Sequence, residues 1–600
     1  MSYAKHIGRV GALAVFLGIG AGVMAVPGLA EAKPADSDTS SASDASTAKK
    51  GAAPGQNMSV AANGETRVQK GTAYATSDGV GSVARARGEE TYATAEGDHN
   101  TAIAIGDNSS ATVIGGTGNT AIVEGNNSTV TIGSGESPMT TLSATTVTDA
   151  NNNTVTIDGD YSHATVTGGS NNTICIVGDV NFATVGGEGN TATIDGNAST
   201  ATATGTGSTA EVNGINSTAT ASGDGNTASV TGFLSTATAV DGSGNTATVT
   251  GDNSTATAGT WGQVVGGTDN TATVTGNFSE AIATGGENNT TTITGDNSRA
   301  YTGTIVTDGG EVYEGNNNMA TVTGDDSLAI AHSGDGNLAT VDGNDSRAVT
   351  ALGDNNTALV IGNGSSTEAA NGNRNSATVT GDNSRASAFE GDDNVAITTG
   401  DNSFSNAALG SNNVATVDGN NSSAASGSGD GNIATVDGDG SRAFAGQTFT
   451  GNPGEDNDGN TAIVVGNNSV ADANLGDDNY AEVYGNNSTA IANNGTDNQA
   501  GVFGDFSTAT AAYGENNTAV VDGTGSQAEA IVGDDNLAVV SGNSSDALAG
   551  FGNSNTASVL GNESSATALD GNNNYALVEG DALHANAGPG NGDVDIVTGP

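Results

Sequence analysis

From Asn318 to Asn337 small apolar and polar residues alternate in two short runs, Asn-x-Ala-x-Val-x-Gly and then Ser-x-Ala-x-Ala, each closed by a glycine-containing corner. Side chains alternate faces along a strand, so Asn318, Ala320 and Val322 share one face while Met319, Thr321 and Thr323 share the other. Ser327, Ala329 and Ala331 oppose Leu328, Ile330 and His332 in the same way. The unit then repeats. Its leading asparagine recurs 19 residues on at Asn337, Asn356, Asn375, Asn394, Asn413 and Asn432, and again from Asn460 through Asn479, Asn498, Asn517, Asn536 and Asn555 to Asn574. A fixed period near 20 marks a solenoid, one supersecondary unit stacked on its copies. The expected fold is all-β, a parallel two-sheet β-solenoid of the β-roll kind with 19-residue rungs. With only Ala and Val turned inward the two sheets must lie close, leaving no room for larger side chains. Gly324 and Gly334 supply the positive φ that tight corners need. A helix would need apolar residues at three- and four-residue steps and far less Gly, Thr and Asn. The inward asparagines should bond to the asparagines one rung above and below, and the serines likewise.

The chain divides by composition. Residues 1 to 32 read as a secretory signal, with Lys5, His6 and Arg9 ahead of an apolar run and a small-x-small site at Ala30-Glu31-Ala32. Residues 33 to 64, rich in Ser, Ala, Asp and Thr, read as a disordered spacer. Residues 65 to 600 read as the solenoid. About 25 rungs at the spacing of neighbouring strands give a length of about 120 Å. Four insertions interrupt the period near 133–150, 259–267, 302–315 and 446–458, each after the start of the second strand. They fall at one corner and carry unusual residues, among them Trp261, Tyr301, Tyr313 and Phe449, which makes that edge a candidate recognition surface.

Charge narrows the partners. There are 67 acidic residues against 14 basic ones, a net charge of −53, and no lysine follows Lys70. Nothing would neutralise phosphates, so duplex nucleic acid is not an expected partner. Many acids sit at the corners: Asp252, Asp325, Asp335, Asp382, Asp401 and Asp430. Stacked carboxylates repel unless solvent or a cation absorbs the charge, and calcium takes carboxylate and carbonyl oxygens. These six are therefore candidate calcium ligands, as a supplement to a fold that requires no cofactor. The pattern departs from the calcium-binding nonapeptide, because Gly115-Gly116-Thr117-Gly118-Asn119 is followed by Thr120. Arg299, Arg347, Arg385 and Arg442 share one outward repeat position and should face the corner acids, with anion reading as their alternative role.

Catalysis has little to stand on. His99, His163, His332 and His584 lie at different repeat positions, and a phosphate loop ending in Gly-Lys-Ser/Thr is excluded beyond Lys70. Cys175 is the only cysteine, so no intrachain disulfide forms. The chain reads as not an enzyme. Between Thr191 and Thr275 the outward positions are rich in Thr, as in Thr246, Thr248 and Thr250, a hydroxyl array that also suits ordering of water or ice, although Thr favours strands in any case.

Three resemblances follow from these motifs. The stretch from Ile7 to Val15 with Pro27 to Ala30 resembles the N-terminus of mycobacterial exported proteins, which implies export to the cell surface or beyond. Gly-Asp-Asn-Ser-Thr-Ala-Thr-Ala at Gly251 to Ala258 resembles the repeats of trimeric autotransporter adhesin heads, and Asn-x-Ala-x-Val at Asn245 to Val249 is similar to the curlin strand motif. No heptad stalk, terminal barrel or flanking curlin Gln is present. The resemblance implies a structural or adhesive solenoid of the cell envelope or matrix, binding a host or matrix component through its edge loops. Self-association into fibres is the alternative, since open strand edges invite stacking.

Overall fold

The computed structural model describes residues 57–133, 150–260, 267–306, 312–446 and 457–599. The chain divides into two compact units. The described residues lie in Gly51–Gly135 with Val147–Pro600, and the other unit, Met1–Lys50 with Glu136–Thr146, lies outside them. The proposed signal segment and most of the proposed spacer also lie outside.

Within the described unit the strand order follows the repeat. Met319–Thr323 pairs in parallel with Leu338–Asp342, residue for residue at the 19-residue step, while Leu328–His332 pairs with Arg347–Ala351. Extending this rule builds a 28-stranded first sheet and a parallel second sheet that faces it across one core. Ala320, Val322, Ala329 and Ala331 are fully buried, and the same four positions repeat along the coil. The fold is therefore the expected β-solenoid.

The core accepts more than Ala and Val. Ile132, Ile157, Ile174, Ile176, Ile194 and Ile293 are completely buried at inward positions, contrary to the expectation that larger side chains would not fit. Two inward hydroxyl pairs bridge the sheets. Thr291 gives its only hydroxyl proton to the Ile282 carbonyl (2.9 Å), so Thr302, 2.8 Å away, is the donor of the Thr291–Thr302 bond. Thr398 and Ser405 are 2.7 Å apart, with Thr398 donating to the Arg385 carbonyl.

The inward asparagines do not form the expected amide-to-amide ladder. Most side chains clamp the backbone of the following rung: Asn337 Nδ2 donates to the Gly353 carbonyl at 2.8 Å and its Oδ1 accepts the Asn356 N–H at 2.9 Å. Amide-to-amide contacts are confined to a few joints such as Asn153 with Asn119 (3.0 Å) and Asn460 with Asn432 (3.1 Å). Serine does the same work at the other corner, where Ser346 Oγ reaches the Gly362 carbonyl (2.8 Å) and accepts the Ser365 N–H (3.2 Å). These are the donors and acceptors that a sheet ladder leaves open where a strand enters from a turn, and an unpaired buried one costs about 1–3 kcal/mol.

Rungs differ in length by one residue. Asn172, Asn190 and Ser208 are spaced by 18, and there the strands run through seven residues, as in Phe182–Glu188 and Thr191–Asn197. In 19-residue rungs the additional residue sits at the corner after the second sheet with positive φ, as at Ser333 (60°) and Asn371 (56°). At the described start of the coil, Met58–Ala62, within the stretch read as spacer, is a strand. It pairs antiparallel with both Glu65–Lys70 and Val83–Arg87.

Candidate functional site

The six corner aspartates expected to hold calcium all have a backbone partner. The Oδ1 atoms of Asp325, Asp382 and Asp401 accept the N–H of Asp296 (2.8 Å), Asn363 (2.7 Å) and Asp382 (2.8 Å) one rung earlier. Asp252 accepts from Phe233 (2.8 Å), Asp335 from Asn316 (3.0 Å) and Asp430 from Ser411 (2.7 Å). Asn344 and Asn420 fill the same column and use the same oxygen, accepting from Asp325 and Asp401 at 2.8 Å. Aspartate and asparagine interchange here because only one acceptor oxygen is used. This ladder points backward along the coil and the inward asparagine ladder points forward, so each rung is stitched to both neighbours. Among the described residues no group of three or more His, Cys, Asp or Glu side chains is arranged to hold a metal ion.

The four arginines lie on the outer face of the second sheet, as their shared position implies, but the ion pair seen there does not involve a corner acid. Arg385 pairs with Glu368 on the sheet itself (3.6 Å), donates from Nε to the buried Ser387 hydroxyl (3.0 Å), and sets its guanidinium over the Phe404 ring at 5.9 Å. Burial pulls the Arg347 guanidinium below its usual range, Glu368 opposes this, and Arg385 adds to it. Glu368 thus serves two arginines. Arg299 stands in register with Glu280, and Arg442 between Ser423 and Val470. The fifth arginine beyond residue 100, Arg374, clips Asp393 at the next corner through two bonds, one of 2.7 Å.

Tyr301 belongs to this face and not to a loop. It sits in the strand Arg299–Gly303, and its hydroxyl donates to Glu280 Oε2 at 2.7 Å. Burial, then the Glu280 charge, pushes its phenol far above the usual range. Tyr313 lies in a short antiparallel hairpin, Ile305–Val306 with Val312–Tyr313, and is 39% exposed. Trp261 and Phe449 lie outside the described residues, as does most of the insertions near 133–150, 259–267 and 446–458. The flanks still place all four. Thr129–Ile132, Thr255–Gly259, Arg299–Gly303 and Arg442–Ala445 are strands of the second sheet, so every insertion leaves the coil at the corner that follows it.

One acid on this sheet is unlike the others. Burial pushes the Asp472 carboxyl up to about 6, and its Oδ1 has no hydrogen-bond partner. A raised folded-state value means that the folded chain holds the proton more tightly than the unfolded chain. Stability from this group is present at acid pH and is lost as pH rises through about 6. Asp472→Asn should therefore stabilise the coil by about 1–2 kcal/mol at neutral pH and leave it unchanged near pH 4. Urea denaturation at the two pH values reads this directly, and an equal effect at both would contradict it.

A further feature escaped the sequence reading. At the corner after the second sheet the positive-φ position holds Asn in some rungs, but Leu409, Tyr513, Val532 and Phe551 in others, with φ between 51° and 60° and exposures of 40–60%. Large or β-branched side chains are strained there, and the signal is visible only once the corner conformation is known. The histidines do not converge: His163 lies against the Phe182 ring (5.3 Å), His332 contacts Ser333 (2.9 Å) and His584 contacts Ser565 (2.7 Å). No helix among the described residues is long and apolar enough to cross a membrane. No family model and no curated protein matches the chain.

Proposed function

We propose that this chain is an exported, non-enzymatic β-solenoid of the cell surface or extracellular matrix that adheres to a host or matrix component through one edge. The observation that carries the reading is the common origin of the four insertions at the corner after the second sheet. A coil stitched rung to rung by side-chain-to-backbone bonds is a stiff support, and solenoids present their binding loops on one face. The signal-like segment at residues 1 to 32 supports export. The antiparallel hairpin at the start of the coil, whose outer strand carries Glu65, Arg67 and Lys70, favours adhesion over end-to-end stacking, because charged edge strands resist pairing. Calcium would act on the corner carboxylate oxygens that the backward ladder leaves to solvent.

The test shortens each insertion to the regular corner found between Ala331 and Asn337 and measures retention on glycan- and matrix-coated surfaces. Retention should fall stepwise while the strand signal in circular dichroism is unchanged. Undiminished retention with all four shortened would defeat the reading.

A further inference from the structure

Late in the coil, at the corner the insertions also use but three rungs beyond the last of them, three successive rungs place Tyr513, Val532 and Phe551 after the second sheet. They are 60%, 40% and 50% exposed, with φ of 60°, 59° and 51°. Asn371 and Asn494 occupy the same repeat position at 56° and 55°. Asparagine tolerates this conformation, whereas a β-branched valine does not, so the late rungs carry strain in order to hold apolar side chains in water. Stacking sets the three about 5 Å apart in a continuous ridge.

The same edge carries exposed acids, Asp478 and Asp497 on the two rungs before the ridge and Glu515 and Asp535 on its own rungs. No lysine or arginine follows Arg442, so nothing in this stretch neutralises them. An apolar ridge fringed only by carboxylates is complementary to a segment bearing apolar and cationic side chains together, and it repels anionic surfaces.

We propose that the Tyr513–Val532–Phe551 ridge is a docking edge for a cationic amphipathic segment of a partner protein. The apolar residues of that segment lie along the ridge, and its lysines or arginines meet Asp497, Glu515 and Asp535. The site is independent of the insertions, so it stands or falls separately from adhesion through them.

The test uses the full chain and a fluorescein-labelled peptide of alternating leucine and lysine, read by fluorescence anisotropy. In the variant Tyr513→Asn, Val532→Asn, Phe551→Asn each substitution installs the residue that the repeat already accepts, so the coil should fold and melt at an equal or higher temperature. Affinity for the peptide should fall by about tenfold or more. A second variant, Asp497→Asn, Glu515→Gln, Asp535→Asn, keeps the ridge and should weaken binding with a reduced dependence on salt. Polylysine should bind the parent chain and the ridge variant equally, because the substitutions leave the net charge unchanged. Equal affinity of parent and ridge variant for the leucine–lysine peptide would overturn the proposal. So would ridge-dependent binding to phosphatidylcholine vesicles without binding to the peptide, which would assign the ridge to a lipid surface.

Discussion

Asn394→Asp should destabilise the coil by about 3–5 kcal/mol at neutral pH, a large effect for a substitution that changes the side chain by one heavy atom. Asn394 is fully buried. Its Nδ2 donates to the Gly410 carbonyl at 2.7 Å and its Oδ1 accepts the Asn413 N–H at 3.0 Å. Aspartate keeps the acceptor but sets a carboxylate oxygen against the Gly410 carbonyl, where charge has neither water nor a donor. The carboxyl relieves this by taking up a proton, and the protonated form can donate to Gly410. Its folded-state pKa is therefore raised, and the loss should shrink as pH falls. Urea denaturation across pH reads both effects. A loss below about 0.5 kcal/mol at neutral pH would show that the forward ladder carries no stability.

Gly410→Ala should be at least as damaging, by more than about 3 kcal/mol, for a different reason. Gly410 has φ of 145°, and a Cβ there would run into the backbone carbonyl of Gly429 on the next rung. Flexible side-chain ends can move aside, but two stacked backbones held by flanking ladders cannot. Since each rung touches only its neighbours, loss of one joint should split thermal unfolding into two transitions. Gly431→Ala is the matched control. Its φ of 71° disfavours alanine, yet nothing lies within 4 Å of the added atom, so its cost should stay near 1 kcal/mol. Equal losses at the two glycines would locate the cost in φ alone and remove close stacking from the account.

The fold was legible because two signals agree: alternation, which makes strands, and a fixed return of Asn, Gly and Ser, which stacks them. Partners were harder to read than positions. Asn337 was seen to point inward, but its nearest acceptor and donor on the next rung are backbone atoms of Gly353 and Asn356 and not another amide. The rung from Ser82 is visibly one residue short, but the run of 18-residue rungs after Asn172 is hard to see because the corner residue they lack has no type of its own, being Ser333, Leu352, Asn371 or Glu390 elsewhere. Glu368 was missed as the partner of Arg385 because the corner acids outnumber it. Tyr513, Val532 and Phe551 look ordinary in the sequence and become conspicuous only at positive φ.

The central claim is that corner aspartates act as backbone acceptors in a ladder that holds adjacent rungs together. The most direct measurement is thermal unfolding, followed by circular dichroism in excess chelator, of the chain carrying Asp325→Asn, Asp382→Asn and Asp401→Asn together. If the claim holds, the triple variant keeps its strand signal and melts with or slightly above the parent chain. Each asparagine retains Oδ1, and neutralising stacked carboxylates removes a repulsion of about 1 kcal/mol per adjacent pair. A variant that fails to fold, or a parent chain that loses its strands in chelator, would make the negative charges themselves, and the cation they hold, the reason that the coil stands.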